Sequence, residues 1–418
     1  MLVKTLNEQE FDSFASKHEY SSYYQSSSYG YLMSNYGLKP IYLGIYDGTK
    51  LLGASLILYK APIMGFKYGY APRGLLIDYA NYNDIINITK TLKNYLFKQR
   101  FIVLKMDPLV LCTKRNKEGA IVDTNEKKNN IMEALKTANY YHCGYNNGFE
   151  SLKPRWLAYL DLTKNESELF NSFSKAVKNK IKKANRLGVE IYKDNNAIEK
   201  VYPLIEKKGN YSLNYYKDLL NCFGNNAEIY VAKINSEKFV ENSKLLYEKE
   251  LEYNGYLNNI ISRDGYKGKN PKDTLSKKME SDKLLIHYKE YLVQSIDLLK
   301  EHPDGLIIGC SIIIKNANTV HLVIDGYNKE YGRCCPLYLS RWQIIKDHLN
   351  SEYSYFDMNA ITGIFEDNNP YKNLNDVKFG YSTIAHEYIG ELNLIINTPM
   401  YNLYKNVIIE DSLRTLKK

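Results

Sequence analysis

The sequence predicts an α+β fold in which one unit of antiparallel hairpin, helix and strand occurs twice. Two similar apolar segments predict the repeat, LGASLIL at 52–58 and IGCSIII at 308–314. Each segment is followed by a turn, a helical pattern and another apolar strand pattern. A long helical pattern within the second copy predicts an inserted pair of helices. The order of elements in each copy is that of an acyltransferase fold.

The composition is that of a globular protein with room for two units. The chain has 418 residues, of which 44% are hydrophobic and 25% are charged, with a net charge of +9. Its 40 tyrosines are most simply explained by the codon usage of an AT-rich genome. The six cysteines form no C-x-x-C pair, so we expect reduced thiols and a cytoplasmic protein. The polar N-terminal segment is not expected to be a signal peptide, and no apolar run reaches membrane-spanning length.

The first copy begins with a hairpin over 41–60, which turns at Asp47-Gly48. A helix is predicted over 84–99, and an apolar strand over 101–106 ends at Asp107. The second copy repeats this order with strands at 228–234 and 308–314, a helix at 336–350 and a strand at 353–358. Two unrelated strand pairs remain the alternative reading, because the shared pattern is short.

The long insertion at 241–302 separates the two strands of the second hairpin. Apolar residues recur along it at nearly heptad spacing, and the segment SRDGYKGKNPKD at 262–273 interrupts the pattern. We therefore predict two antiparallel helices that project as an arm. Two helices lying flat on a domain are the alternative.

A basic helix is predicted after the strand at 156–162. Thr163 and Glu166 have the form of a capping box, and Gly188 ends the helix. Apolar residues at helical spacing form one buried stripe, namely Phe170, Phe173, Val177, Ile181 and Ala184. The other faces carry Lys175, Lys178, Lys180, Lys182, Lys183 and Arg186. Such a face binds RNA phosphates without reading sequence, or is simply solvated.

Several segments, taken in order along nearly the whole chain, resemble the Fem aminoacyltransferases that build peptidoglycan cross-bridges. They include YSSYYQSSSYGYLM at 20–33, KAPIMGFKYGYAPRGLLIDY at 60–79 and KMDP at 105–108. KNKIKKANRLGVEI at 178–191, the two-helix insertion and VKFGY…EYIGEL within 377–392 complete the set.

The resemblance implies two tandem acetyltransferase-like subdomains and an arm similar to that of some tRNA synthetases. It places subdomain 1 at 1–153 and subdomain 2 at 154–398, with the arm at 241–302 and a C-terminal helix at 399–418 packing back on subdomain 1. The donor it implies is aminoacyl-tRNA, and the acceptor is lipid II or UDP-MurNAc-pentapeptide. No metal and no cofactor are expected, and peripheral contact with the inner membrane face is left open.

The resemblance also implies roles for individual residues. Lys378 occupies the position of a lysine that stabilises the oxyanion or the tRNA end, although Val377 stands where the family has an aromatic residue. Asp107 matches an acidic position near the acceptor and is the second candidate catalytic residue. The candidate substrate-binding residues are Gln25, Tyr29, Tyr70, Arg73, Tyr215 and Tyr327. At two phosphate-contacting positions the chain departs from the family, with Met33 at one and no arginine within 207–216 at the other.

Two other functions compete with aminoacyl transfer. An acyl-CoA-dependent N-acyltransferase would hold the CoA diphosphate on the amides of a glycine-rich turn, but the corresponding segment NKEYGRCCPLYL has only Gly332. A non-catalytic tRNA- or precursor-binding protein is the third possibility. No G-x-S-x-G, Cys–His or metal-ligand pattern was found, and the seven histidines look isolated in the sequence.

Overall fold

A computed structural model describes residues 1–209, 211–264 and 271–415. In this part of the chain the strands are β1 (Leu2–Thr5), β2 (Lys39–Asp47), β3 (Lys50–Ile63), β4 (Phe66–Ala71), β5 (Phe101–Met106), β6 (Leu111–Arg115), β7 (Ile121–Thr124), β8 (Tyr140–His142), β9 (Trp156–Asp161), β10 (Val189–Lys193), β11 (Ala227–Ile234), β12 (Leu306–Asn316), β13 (Thr319–Tyr327), β14 (Tyr355–Ala360), β15 (Ile384–Tyr388) and β16 (Leu392–Ile395). The helices are α1 (Glu8–Ala15), α2 (Ser27–Ser34), α3 (Tyr82–Lys98), α4 (Lys128–Thr137), α5 (Glu166–Ser172), α6 (Lys175–Arg186), α7 (Ile198–Gly209), α8 (Leu213–Phe223), α9 (Ser236–Asp264), α10 (Pro271–Glu301), α11 (Pro336–His348), α12 (Lys372–Phe379) and α13 (Thr398–Thr415).

The predicted repeat is confirmed by the order of the strands in two mixed sheets. The first sheet runs β1-β2-β3-β4-β5-β16-β8, and the second runs β10-β11-β12-β13-β14-β9-β15-β6-β7 among the described residues. In each sheet four antiparallel strands lead to one parallel pair, β4 with β5 and β13 with β14. In each unit one helix connects the two parallel strands: α3 lies between β4 and β5, and α11 lies between β13 and β14. The fold is α+β with two tandem acetyltransferase-like units.

The two parallel pairs differ in a way that creates space. The β4–β5 pairing continues to Ala71 opposite Met106, at the ends of both strands. The β13–β14 pairing stops at His321 opposite Asp357, so the two strands separate over their remaining residues. The register of β13 against β12 also shifts by one residue at Val323, which is a β-bulge. The second sheet therefore opens between β13 and β14, and the first does not open between β4 and β5.

Strands cross between the two units. β16, from the C-terminal part of the chain, pairs with β5 in the first sheet. In the opposite direction, β6 pairs with β15 in the second sheet. Residues of both units, such as Leu56 of β3 and Ile312 of β12, belong to one buried hydrophobic cluster. The proposed division of the chain after residue 153 stays a prediction, and the strands on either side of it are shared between the sheets.

The predicted arm is confirmed as a helical hairpin between β11 and β12. α9 and α10 lie side by side along their length. The Asn254 side chain of α9 donates hydrogen bonds to Ser281 and Asp282 of α10, which fixes the register of the two helices. The predicted helix-breaking loop at Gly265 and Gly268 lies outside the described residues.

The prediction of one continuous basic helix from a capping box at Thr163 was wrong. Thr163 instead hydrogen-bonds Asp161, and Asn165 caps α5 by accepting from the amide of Glu168. The helix ends at Phe173, which is extended (ψ 149°). Ser174 then caps α6. Two side-chain caps nine residues apart start two helices, because each satisfies amides that a continuous helix would have bonded internally.

The predicted helix boundaries elsewhere agree with the structure within a few residues. Gly188 follows α6 in the left-handed conformation (φ 82°), as predicted for its end. Gly48 (φ 58°) forms the β2–β3 turn. At the C-terminus, α13 packs against β5 and buries Ile408. Residues 416–418 of the predicted C-terminal helix lie outside the described residues.

Candidate active site

A cavity of about 840 Å³ lies where β13 and β14 separate. β13 contributes Leu322 to Asp325 to its wall, and β14 contributes Met358 to Ala360. α7, α8 and α12 of the second unit close two sides, and tyrosines before and within α2 of the first unit close the third. The cavity therefore lies between the two units, with the size of an ordinary ligand site.

Lys378 projects into this cavity from α12 and is buried. Its ammonium donates a hydrogen bond to the carbonyl oxygen of Ala360 at the end of β14. Burial, together with the nearby charge of Arg341, lowers the pKa of Lys378 to about 7 against the opposing effects of Asp325 and Asp357. At neutral pH this lysine is therefore poised between its charged and neutral forms, as groups at active sites often are.

Asp325 and Arg341 form a buried ion pair beside Lys378. Two guanidinium nitrogens of Arg341 donate to the same carboxylate oxygen of Asp325. Burial alone would raise the pKa of Asp325, but the charges of Arg341 and Lys208 lower it overall. Since Lys208 is 3.7 Å from the other carboxylate oxygen, Asp325 is shared by two cations.

The opposite wall of the cavity is aromatic and holds another cation. The Lys153 ammonium lies 4.4 Å from the centre of the Tyr24 ring, and Tyr24 packs edge-on to Tyr29. Tyr211 and Tyr215 stack face to face at 3.8 Å. Although burial opposes charge on Lys153, the surrounding tyrosines raise its pKa, so it is a cation at neutral pH.

The described lining of the cavity is rich in positive charge. It contains Lys153, Lys208, Arg341 and Lys378, but Asp325 as its single carboxylate. An excess of cations in a partly enclosed space favours an anionic ligand, because they neutralise the charge of a phosphate or carboxylate.

Asp107, Tyr70 and Arg73 form a buried cluster beside the cavity rather than in it. The carboxylate of Asp107 accepts from the Tyr70 hydroxyl and from the Arg73 amide, both at 2.7 Å. Burial raises the pKa of Asp107 against the lowering effect of Arg73. The Arg73 guanidinium donates to the carbonyl of Pro154, next to Lys153. The cluster thus connects the end of β5 to the aromatic wall.

The other candidate substrate-binding residues have different surroundings. Tyr29 and Tyr215 line the cavity. Gln25 is buried, and its amide bonds the backbone of Leu56 and the carbonyl of Pro72. Tyr327 lies at the end of β13 with 37% of its surface exposed, next to Lys208. Tyr29, Tyr215 and Lys378 therefore line the same cavity. Gln25 does not line it and instead connects the backbone at Leu56 to the backbone at Pro72.

The basic helix α6 lies next to the helix that carries Lys378. The Ser174 amide, at the start of α6, donates to the carbonyl of Gly380 just after α12. Lys180 donates to the Tyr338 hydroxyl, and Lys183 lies over the Tyr291 ring of the arm. Solvent-exposed cations of the helix are Lys175, Lys180, Lys182 and Arg186, and Lys178 and Lys183 are half-buried. The helix that carries the predicted tRNA-binding residues therefore contacts the end of α12 on one side and the arm on another.

Sequence reasoning missed Lys153, Lys208, Asp325 and Arg341. One signal could have found Arg341, since α11 is otherwise apolar over most of its buried length. Asp325 likewise follows the apolar run of β13 directly. Nothing in the sequence signals Lys153 or Lys208, because their roles depend on residues that are distant in the chain, namely the tyrosines around Lys153 and the Asp325 carboxylate beside Lys208.

The helix starts that would cradle a coenzyme diphosphate are poorly suited to bind one. α11 begins with Pro336, which has no amide hydrogen, after the buried Cys335. At the start of α3, Asn81 accepts from the amide of Asp84, whose carboxylate lies in the first turn. Both arrangements disfavour a diphosphate at these positions.

Two further findings concern the described residues alone. None of their helices is both long and apolar enough to cross a bilayer. No group of three or more His, Cys, Asp or Glu side chains among them is arranged to hold a metal ion.

Comparison with known proteins gives consistent results. The profile of the FemAB family matches residues 6–408. The aminoacyltransferase FemA of Staphylococcus epidermidis is 25% identical over 438 aligned positions, which cover all of both chains. FemA of Staphylococcus aureus is 24% identical over 424 positions, 97% of each chain. The crystal structure of FemX superposes with a TM-score of 0.73 at 18% identity, covering 96% of this chain and 99% of that one.

Proposed function

We propose that this chain, which belongs to the FemAB family, is an aminoacyltransferase that carries an amino acid from aminoacyl-tRNA to the peptide of a peptidoglycan precursor. The named relatives along the full chain support aminoacyl transfer. The observation that carries the proposal is Lys378, a buried amine with a pKa of about 7 in a cationic cavity between the two units.

Transfer of an aminoacyl ester to an amine requires orientation and stabilisation of charge rather than a covalent intermediate. As the amine attacks, the ester carbonyl oxygen becomes an oxyanion. The Lys378 ammonium is proposed to donate to this oxyanion. The developing negative charge favours the protonated form of Lys378, so the cation is present when it is needed. Removing one such donor usually costs a factor of about 10² to 10³ in kcat.

A catalytic role for Asp107 stays a prediction, and its contacts favour action through Arg73. The carboxylate fixes the Arg73 backbone, while the Arg73 side chain holds the segment that places Lys153. Asp107 would then position the aromatic wall of the cavity, which carries Lys153, rather than touch the acceptor amine.

The location of α6 supports tRNA as the donor. A tRNA acceptor stem bound along the exposed cations of α6 would bring its 3′ end to the α12 side of the cavity, since α6 begins against Gly380. The side-chain cap at the start of α3 and the proline at the start of α11 favour this donor over acyl-CoA. A phosphate-dominated contact of this kind weakens steeply with salt.

The acceptor is proposed to be lipid II or UDP-MurNAc-pentapeptide. Both combine phosphates with a peptide that ends in a carboxylate, and Lys153 and Lys208 supply cations on two walls of the cavity. We further propose a cytoplasmic location, with the protein acting next to the inner face of the membrane when the acceptor is lipid-linked.

The test is a transfer assay with a pool of charged tRNAs and either lipid II or UDP-MurNAc-pentapeptide, read by mass spectrometry. We expect one acceptor to gain the mass of an amino-acid residue. Lys378→Met should reduce kcat about 100-fold, whereas Lys372→Met, a half-exposed lysine on the same helix, should leave it unchanged. Transfer from acyl-CoA but not from tRNA would refute the donor. Binding of tRNA and acceptor without any product would indicate a binding protein.

A further inference from the structure

His321 and Asp357 form a buried pair at the point where β13 and β14 separate. These two residues are the last partners in the parallel pairing of the strands. A nitrogen of the imidazole, Nδ1, lies 3.0 Å from a carboxylate oxygen of Asp357. The other carboxylate oxygen accepts from the amide of Asn359 at 2.8 Å. Asp357 is therefore held on both sides, and the ring of His321 is held by Asp357.

This contact determines which nitrogen of His321 carries its hydrogen. A carboxylate only accepts hydrogen bonds, so Nδ1 is the donor and Nε2 of the neutral ring keeps its lone pair. Nε2 has no hydrogen-bond partner among the described residues, although His321 is 5% exposed. A buried acceptor without a partner costs stability, and in a native protein it usually meets a water molecule or a ligand.

The pair faces a small cavity that adjoins the large one. His321 and Asp357 line a space of about 30 Å³, enough for a water molecule. Five residues, Tyr23, Tyr24, Pro154, Leu322 and Asn359, line both cavities. The asparagine side chain donates to the carbonyls of Leu322 and Val323, so it holds the β-bulge at the boundary between the two spaces.

We propose that His321, oriented by Asp357, accepts through a water molecule the proton that the acceptor's amino group must lose before it attacks. This inference rests on the proposed transfer reaction and adds a proton acceptor that the sequence did not suggest. The placement is suitable because the two cavities share lining residues, so a water in the small cavity would lie beside the space proposed for the amine. Asp357 stabilises the imidazolium that forms.

The proton balance of the step is as follows. The acceptor ammonium gives one proton through water to Nε2 of His321, and the neutral amine attacks the ester carbon to form the new C–N bond. The nitrogen then loses a second proton as the C–O bond to the tRNA ribose breaks, and this proton goes to the leaving ribose oxygen. His321 releases the first proton to solvent after the reaction. No oxidant, reductant or covalent enzyme intermediate is required.

The charged and titratable groups around His321 come from several elements. Tyr23, before α2, packs edge-on against its ring at 5.1 Å. Arg73 of the first unit and Tyr159 of β9 line the same small cavity. His386 of β15 stacks on Tyr159 at 4.4 Å, and burial lowers its pKa to about 4, so it is neutral. Asp357 is thus the single carboxylate, and Arg73 the single lysine or arginine, that line the described small cavity.

The experiment compares His321→Gln with a matched variant, His348→Gln, in the transfer assay. His348 is also a buried histidine, but it bonds the carbonyl of Ile344 within α11 and lines neither cavity. We expect His321→Gln to lower kcat about 10² to 10⁴-fold at pH 7 with KM within threefold. Its defect relative to the unsubstituted protein should shrink from pH 7 to pH 9, because the acceptor amine then loses its proton unaided. His348→Gln should show no pH-dependent defect.

A second measurement does not depend on activity. Long-range proton–nitrogen NMR spectra should show His321 with its hydrogen on Nδ1, and Asp357→Asn should weaken this preference. A hydrogen on Nε2 would overturn the relay, as would transfer by His321→Gln within threefold of the unsubstituted protein, or a defect equal at every pH. If the unsubstituted protein transfers nothing to either acceptor, the proposed function fails and the relay fails with it.

Discussion

Replacing Lys378 by methionine should make the protein more stable at pH 6 while it abolishes most of the activity. Lys378 is 6% exposed, and its pKa is lowered from an ordinary value of 10.5 to about 7, chiefly by burial. The folded state thus binds the proton more weakly than the unfolded state does. Below pH 7 both states carry it, and the folded protein bears the full cost of the buried charge.

The magnitude follows from the difference between the two pKa values. Each unit corresponds to about 1.4 kcal/mol, so the charged lysine destabilises the fold by roughly 5 kcal/mol relative to a neutral amine. Methionine has a similar volume but cannot donate to the carbonyl of Ala360, which costs about 1–3 kcal/mol. We expect Lys378→Met to gain about 2–4 kcal/mol in free energy of unfolding at pH 6. The sign should reverse between about pH 8 and 10, where the remaining cost of the charge falls below the roughly 1–3 kcal/mol lost with the hydrogen bond.

Urea unfolding monitored by tryptophan fluorescence at pH 6, 8 and 10 would measure this difference. The advantage of Lys378→Met should decrease between pH 7 and 10.5, and Lys372→Met should show no such crossover. A Lys378→Met protein that is less stable than the unsubstituted chain by the same amount at all three pH values would refute a buried amine with a lowered pKa. That result would also remove the physical basis of its role in the cavity.

Three other predictions test different parts of the structure. In a filter-binding assay, Lys182→Glu on α6 should weaken tRNA binding several-fold and reduce its salt dependence. Lys90→Glu, on the exposed face of α3, should change neither. If both variants bind tRNA as tightly as the unsubstituted protein, the charged face of α6 is simply solvated. Asp107→Ala should lower the free energy of unfolding by about 3–5 kcal/mol, because Arg73 is left buried without its carboxylate. Urea titrations would measure this loss. A variant that is stable but inactive would instead indicate that Asp107 contacts the substrate directly. Gly326→Ala should lower both the melting temperature and the affinity for the acceptor, since the added Cβ would lie 2.1 Å from the Leu204 carbonyl and displace α7, which forms part of the cavity wall. Unchanged affinity for the acceptor would show that α7 can move without affecting the site.

The sequence predicted those features that depend on neighbouring residues. The β2–β3 turn follows from Asp47 and Gly48, because a tight turn with positive φ needs residues of this kind. The arm and the repeated unit follow from apolar spacing, which reports which face of an element is buried. The same reasoning failed at 163–174, where a plausible capping box stood two residues ahead of the true cap at Asn165 and the periodic stripe concealed a break at Phe173. Periodicity cannot show a break when both helices bury the same side.

The site was accessible to sequence reasoning only in part. Lys378 was identified by resemblance, but its lowered pKa was not, because that depends on burial and on Arg341, which is 37 positions away. The histidines looked isolated in the sequence, although His321 lies beside Asp357, 36 residues further along. Lys153 carried no signal at all until the tyrosines around it were seen.

The sequence by itself thus determined the duplication, the helical arm, the family and the secondary structure of the repeated units, since local spacing and ordered segments are sufficient for these. The tertiary structure alone decided that β13 and β14 separate after three paired residues and that the cavity between the units is cationic. It alone also placed a buried histidine–aspartate pair on the small cavity that adjoins it. The physical reason is that pKa values, cavities and proton paths depend on which distant residues pack together, and that information is not present in the spacing of residues along a chain.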